Sequence, residues 1–319
     1  MRRDGKAGAK TDNGTDSMII LTIWPLFALI CLGFVMARTG FPEPGFWPAA
    51  ERVNYYILFP ALLVGSLAAA PLGDPAIWRL GGAAGASIAL AAFGLYGWRW
   101  QHPAPAARFG PALQGVVRIN TYLGLAITAA LVGAPGIERA AIVLAVVVPL
   151  VNVLSIMALA DRTEARKPLA ILRMMARNPL ILACALGITM ALSGIGLPLG
   201  TGAFFALLGQ GSLPLGLLCV GAALRPGALR SDMGAIGVNS TLRLFAMPVL
   251  AMGMAWIFGL DGIEALVLVI FFAIPTAPTS YVLTRQFGGD ATYMAGLVTA
   301  QTLASVLTIP LVLLIFGAS

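Results

Sequence analysis

Charge is what this chain has least of. Only 10% of its 319 residues are Asp, Glu, Lys or Arg, where a soluble domain carries about 25%. With 59% of the residues hydrophobic, the chain reads as an integral membrane protein. Its 13 acidic residues lie in the N-terminal stretch, in the gaps between apolar runs or near the ends of those runs. None is central to a run, which argues against an antiporter driven by a carboxylate relay buried at mid-membrane. Histidine occurs once, as His102 in the proline-rich gap Gln101-His102-Pro103-Ala104-Pro105, and reads as a solvated loop residue. The three cysteines, Cys31, Cys184 and Cys219, fall inside apolar runs without paired spacing, so neither a disulfide framework nor a zinc site is indicated. No metal or cofactor is expected. An intramembrane enzyme would gather carboxylates, histidine or metal ligands at one face. Asp261 and Glu264 form the only close acidic pair near an outer span end, and no His or Cys stands near them. The chain is therefore not read as an enzyme. No gap is long enough for a soluble signalling domain, which argues against a receptor.

What is present is a series of ten apolar runs, each long enough to cross the hydrocarbon core as a helix. Spans 1 to 10 cover 18–38, 51–72, 77–98, 111–133, 138–160, 176–196, 202–224, 238–259, 263–285 and 292–317. Residues 1–17 are polar, lack the apolar segment of a signal peptide and read as a disordered tail ahead of Met18, a candidate start. The net charge of +7 comes from basic residues in the short gaps, which points to membrane topology and away from nucleic acid. Of the 20 Lys and Arg residues, those assigned to the gaps after odd-numbered spans outnumber the rest, which are Arg2, Arg3, Lys6, Lys10, Arg79 and Arg139. The positive-inside rule makes the odd side cytoplasmic and puts both termini on the outer, periplasmic side of the inner membrane. Arg243, near the cytoplasmic start of span 8, reads as an interfacial anchor.

The longest gap, the basic stretch 161–177, divides the chain into two groups of five spans, 18–160 and 178–319. Trp24-Pro25-Leu26 with Leu32-Gly33 matches Asn178-Pro179-Leu180 with Leu186-Gly187, and Pro60 matches Pro214, always 154 residues apart. An odd number of spans per unit makes the second copy enter from the opposite side, an inverted repeat. The expected fold is all-α, ten transmembrane helices as a 5+5 inverted repeat.

Two spans carry polar residues or helix breakers at their middles. Span 4 holds Arg118-Ile119-Asn120-Thr121-Tyr122, and span 9 holds Ile274-Pro275-Thr276-Ala277-Pro278-Thr279-Ser280. Polar groups at that depth are costly unless they serve a site, and two prolines so close together do not fit an unbroken helix. Asn120 and Thr121 are good residues to start a half-helix, and Pro275 suits a first helical position. Two half-helices starting at the midplane would aim their positive ends at one point, a ready anion site. The candidate substrate-binding residues are Arg118, Asn120, Thr121, Tyr122, Asn152, Pro275, Thr276, Thr279 and Gln301. Arg118 is read either as partner to a carboxylate or as snorkelling to the surface. Asn152 and Gln301 are read either as site amides or as glue between helices. Pro60 and Pro214 read as kinks.

With these motifs in place the chain resembles the auxin efflux carrier family, which includes the plant PIN carriers and bacterial carriers of malonate-like acids. The resemblance runs from about Ile20 to Gly317. It rests on Pro25 with Leu32-Gly33, Leu58-Phe59-Pro60-Ala61-Leu62, Asn120-Thr121 with Leu123-Gly124, and Asn178-Pro179. It also rests on Gly211-Ser212-Leu213-Pro214-Leu215-Gly216, Gly221-Ala222-Ala223-Leu224, and Ile274-Pro275 followed by Gly288-Gly289-Asp290. One departure is Ala126, where the family usually has proline. The resemblance implies that helices 4 and 9 are broken and cross, with substrate beside the crossing. It further implies a scaffold of spans 1, 2, 6 and 7 that pairs into a homodimer, and an elevator movement of the other spans. The implied function is a secondary carrier or exporter of small organic anions, mono- or dicarboxylates. The alternative is a sodium-coupled organic-anion symporter of the bile-acid-transporter-like fold.

Overall fold

The computed structural model describes residues 12–160, 169, 172–173 and 176–316, with side chains from Leu21 onward. Among these residues every regular element is helical. Seven stretches are long and apolar enough to cross a membrane: Leu21–Thr39, Pro75–Gln101, Ala106–Val132, Ala134–Leu159, Thr201–Ala222, Met233–Ile257 and Ala291–Phe316. Pro179–Ser193 and Gly262–Ala273 are shorter apolar helices. The first helix, α1 (Asp12–Thr39), begins within the stretch expected to be tail. Of the basic gap at 161–177, only Leu169, Leu172, Arg173, Ala176 and Arg177 are among the described residues.

Local chemistry explains where several helices begin. Asp74 accepts a hydrogen bond from the Ala76 amide, and Pro75 opens α4 (Pro75–Gln101). Asn178 accepts from the Leu180 and Ile181 amides ahead of Pro179, which opens α8 (Pro179–Ser193). Both are polar N-caps followed by a proline whose missing N–H costs nothing there. Two helices are interrupted by π-turns. One, Asn54–Leu58, joins α2 (Phe46–Val53) to α3 (Phe59–Ala68). The other, Leu242–Ala246, joins α10 (Met233–Thr241) to α11 (Met247–Ile257). Each π-turn is followed by a proline at the second position of the next helix, Pro60 and Pro248. A proline there cannot donate to the preceding turn, and the local ladder widens to accommodate it. In span 2 the irregularity is thus the π-turn before Pro60. Pro214 sits inside the uninterrupted α9 (Thr201–Ala222).

The remaining helices are α5 (Ala106–Val117), α6 (Thr121–Val132), α7 (Ala134–Leu159), α12 (Gly262–Ala273), α13 (Thr279–Gln286) and α14 (Ala291–Phe316). The most extensive packing falls into two groups. In one, α1 lies on α9, and α3 lies on both α8 and α9. In the other, α7 packs on α4, α5 and α6, while α11 packs on α4 and α12. Two glycines allow the first group's helices to touch backbone to backbone. A Cβ on Gly33 would collide with the Leu218 carbonyl, and one on Gly187 would lie 3.3 Å from the Val64 Cα. Gly187 follows Gly33 by 154 residues and Leu218 follows Val64 by 154 residues. The sequence offset therefore reappears as a pair of matching helix contacts.

Polar clusters close the two ends of the bundle. Arg108, in the first turn of α5, pairs with Asp232 and, at 3.0 Å, with Asp290, and its guanidinium lies 3.6 Å over the Tyr293 ring. These residues come from the gaps after spans 3, 7 and 9 and the helix that follows the last of them. At the opposite end Arg139 binds Glu264 at 2.8 Å, and Arg79 donates to the Gly259 carbonyl at 2.9 Å. Those lie at the starts of spans 3, 5 and 9 and at the end of span 8. Large apolar side chains such as Phe93, Trp256 and Leu307 stand outward on the flanks, where lipid satisfies them.

Candidate functional site

Both polar interruptions are real breaks, and they touch. Helix α5 ends at Val117, residues 118–120 are non-helical with Arg118 extended, and α6 starts at Thr121. Helix α12 ends at Ala273, and five residues pass before α13 starts at Thr279. The Asn120 amide donates to the Pro275 carbonyl at 2.9 Å, which stitches one break to the other. The Asn120 side chain caps α6 by accepting from the Leu123 amide at 3.2 Å, as its position in the sequence suggests. Span 4 is broken without the proline that Ala126 replaces. Pro275 does not open a helix: it lies in the non-helical segment and contributes its carbonyl, while α13 begins four residues later.

Breaking two helices frees carbonyls in an apolar interior, and each must find a donor. Arg243 supplies three. It is fully buried, and it donates to the Ile274 carbonyl at 2.7 Å, Val116 at 2.8 Å and Phe271 at 3.1 Å. One guanidinium thereby holds the C-terminal ends of α5 and α12 together, with its positive charge at two negative dipole ends. This corrects the reading of Arg243 as an interfacial anchor. The π-turn that contains it aims the residue at the breaks instead of the membrane surface. Gln301 completes the clamp: it accepts from the Thr276 amide at 2.9 Å and donates to the Gly115 carbonyl and to Asn239, both at 3.1 Å. The Thr276 hydroxyl donates to the Gln114 carbonyl at 3.0 Å.

On the other side of the breaks the N-terminal ends of α6 and α13 face a cavity of about 50 Å³. Arg118, Asn120, Thr121, Tyr122, Asn152 and Thr279 all line it, six of the nine sequence candidates. Pro275, Thr276 and Gln301 do not; they lie behind the breaks and shape them. The cavity sits at the seam of the two packing groups. Tyr55, Phe59, Leu180 and Cys219 wall it from one group, and the half-helix residues from the other. The same Glu51, Tyr55, Arg118, Asn152 and Thr279 also line a vestibule of about 780 Å³ that includes Arg52, Arg173 and Arg177.

Two features show what the cavity can hold. Asn120 is completely buried and its oxygen is used by the cap, while its side-chain nitrogen has no hydrogen-bond partner among the described residues. A buried donor left unsatisfied costs about 1–3 kcal/mol, and it points to an acceptor that arrives from outside. Arg118 is half-buried and turned into the cavity, within 3.4 Å of the Thr279 hydroxyl and 3.5 Å of the Gln114 side-chain oxygen. Among the described residues it forms no ion pair with a carboxylate. Donors and positive charge converge, with aromatic and aliphatic walls around them.

Sequence reasoning missed Arg243, for which the signal is a polar residue in an apolar run five positions before a proline. It also missed Glu51. Placed at the very edge of span 2 and set aside with the other peripheral acids, Glu51 lines both cavity and vestibule, because the vestibule reaches up to α2.

The family model described as "Membrane transport protein" matches residues 18–313. A curated relative from Methanothermobacter thermautotrophicus, described as an uncharacterized transporter, is 23% identical over 299 residues. The match covers 91% of this chain and 96% of the relative.

Proposed function

Since the chain belongs to the auxin efflux carrier family of membrane transport proteins, we propose that it is a secondary carrier of small organic anions, bound where the two broken helices cross. One observation carries this reading: the unpartnered Asn120 nitrogen, buried beside the Arg118 guanidinium at the starts of two half-helices. Helix N-termini and a guanidinium select a carboxylate. The enclosed cavity suits one such headgroup, and the vestibule, walled by Tyr55, Tyr56, Val153 and Ile156, suits an apolar body behind it.

The finer architecture belongs to the same proposal. Ten spans arranged as two inverted sets of five are supported by the 154-residue offset in both sequence and packing. The seam location of the cavity supports an elevator movement of one group of helices past the other, with the α1–α3–α8–α9 group as the static, dimer-forming part. Both termini lie on the periplasmic side of an inner membrane, and a bound anion leaves down the membrane potential, worth about 2.3 kcal/mol per charge per 100 mV.

The test is charge movement in proteoliposomes on addition of malonate, other short dicarboxylates and indole-3-acetate, with sodium present and absent. Saturating currents that vanish in Asn120→Ala are expected. Currents that persist undiminished in that variant move the site elsewhere, and currents that require sodium favour the symporter alternative.

A further inference from the structure

The cavity built for an anion also contains a carboxylate. Glu51, on α2, is half-buried and faces the enclosed cavity and the vestibule together with Arg118. Among the described residues it forms no ion pair. A substrate carboxylate and an ionised Glu51 would place two negative charges beside one guanidinium in a small space of low dielectric. Like charges so placed disfavour each other, and the group that can take up a proton does so.

We propose that anion binding in this cavity is linked to uptake of a proton by Glu51, so that affinity follows the pH of the compartment the vestibule faces. The inference rests on the anion reading given above. The proton comes from vestibule water and returns to it when the anion leaves; the only bond made and broken is the carboxyl O–H. Linkage is reciprocal: an anion that favours neutral Glu51 is itself bound more tightly when Glu51 is neutral. Affinity therefore falls as pH rises, by up to about tenfold per unit for one fully linked proton.

Other charged and titratable groups surround Glu51. Arg52 is on its own helix, Tyr55 and Tyr56 are on the π-turn, and Cys219 comes from α9. Arg118 and Tyr122 approach from the span 4 break, and Arg173 and Arg177 stand ahead of α8. Of these side-chain types, a carboxyl is the one that ordinarily exchanges its proton below about pH 8. All of them remain in place when Glu51 alone is replaced.

Titration calorimetry on the purified full chain tests the linkage. Indole-3-acetate is the probe, because a carboxylic acid stays ionised between about pH 6 and 8. Runs in two buffers of different ionisation enthalpy give the protons taken up per anion bound. The wild type is expected to take up as much as one, with Kd rising with pH. Glu51→Gln is expected to take up none and to bind with a flat pH profile, and Glu51→Asp to restore uptake. Binding by the wild type without proton uptake, or equal uptake in Glu51→Gln, overturns the linkage and leaves the anion site standing. The first of these outcomes needs no variant, so a misfolded mutant cannot hide it. If the wild type binds neither indole-3-acetate nor malonate, the anion reading fails and the linkage fails with it.

Discussion

The two breaks do the same job by different means. The span 9 break, Ile274 to Pro278, is five residues long and holds two prolines. Two prolines within four residues strongly disfavour a helix through it, whatever surrounds it. The span 4 break, Arg118 to Asn120, is three residues long and has no proline. Nothing in its covalent structure forbids a helix from running through. Partners hold it open: Arg243 takes the Val116 carbonyl, Pro275 takes the Asn120 amide, and Asn120 caps the helix that follows. One break is written into the local chain and the other is imposed by tertiary contacts, so the second is the one that distant substitutions should damage.

Arg243→Leu is the severest way to test this contrast. It leaves the carbonyls of Val116, Phe271 and Ile274 without their donor in a dry interior. Hydrogen bonds to charged groups contribute about 1.5–3 kcal/mol each, so the loss should exceed roughly 3 kcal/mol. The expected outcome is a large fall in melting temperature in detergent and no transport. A variant that melts like the wild type would show that span 4 holds its own break.

Gln301→Leu should come next. It unpairs the Thr276 amide and removes donors from Gly115 and Asn239, at about 1–3 kcal/mol. Because Gln301 does not line the cavity, stability should drop while the Kd of the remaining folded protein for indole-3-acetate changes little. A Kd raised tenfold without loss of stability would place Gln301 in the site after all.

How much of this was legible follows from cost. Arg118, Asn120 and Thr279 stand out in the sequence because polar groups in mid-span are expensive, and all three line the cavity. The offset between Gly33 and Gly187 is visible because small residues recur where helices touch. Arg243 and Glu51 could not be placed from local sequence. Each lies near the end of an apolar run, where charge is ordinarily solvated, and only tertiary structure turns it inward. For Arg243 the turning element is a π-turn, which shifts the helical face by widening one turn. The hint is a buried polar residue shortly ahead of a proline, Arg243 five positions before Pro248 and Asn54 six before Pro60. The start of α13 was misplaced because Pro275 suits a helix start equally well by residue type. Its carbonyl is taken by Asn120, a contact from another span.

Asn120 separates the structural role from the functional one, because its two side-chain atoms do different things. The oxygen caps α6, and the nitrogen has no hydrogen-bond partner among the described residues. Asn120→Ala loses both, with about 1 kcal/mol of stability and the loss of anion binding. Asn120→Asp keeps a capping oxygen, and Asp caps as well as Asn, so the cap should survive, although a carboxylate at this fully buried position adds a desolvation cost. It nevertheless turns the free donor into an acceptor. Losing a hydrogen bond to a charged ligand corresponds to roughly ten- to a hundredfold in Kd. Equal affinity in Asn120→Asp and wild type would mean that the orphan nitrogen has no ligand.

The smallest effect on transport should come from the residue that looks most disruptive in the sequence. Pro275→Ala keeps the carbonyl that receives the Asn120 amide, since the bond is to backbone. Pro278 remains, Thr276 is still held by Gln301 and Gln114, and Arg243 still occupies the Ile274 carbonyl. The buried backbone N–H that the substitution introduces should cost about 1–3 kcal/mol if nothing accepts from it, and a freer unfolded chain up to about 1 kcal/mol more, but transport should survive. If Pro275→Ala instead abolishes transport at unchanged stability, the proline itself sets the shape of the site. The span 9 break would then depend on one ring as closely as the span 4 break depends on Arg243, and the contrast between the two would disappear.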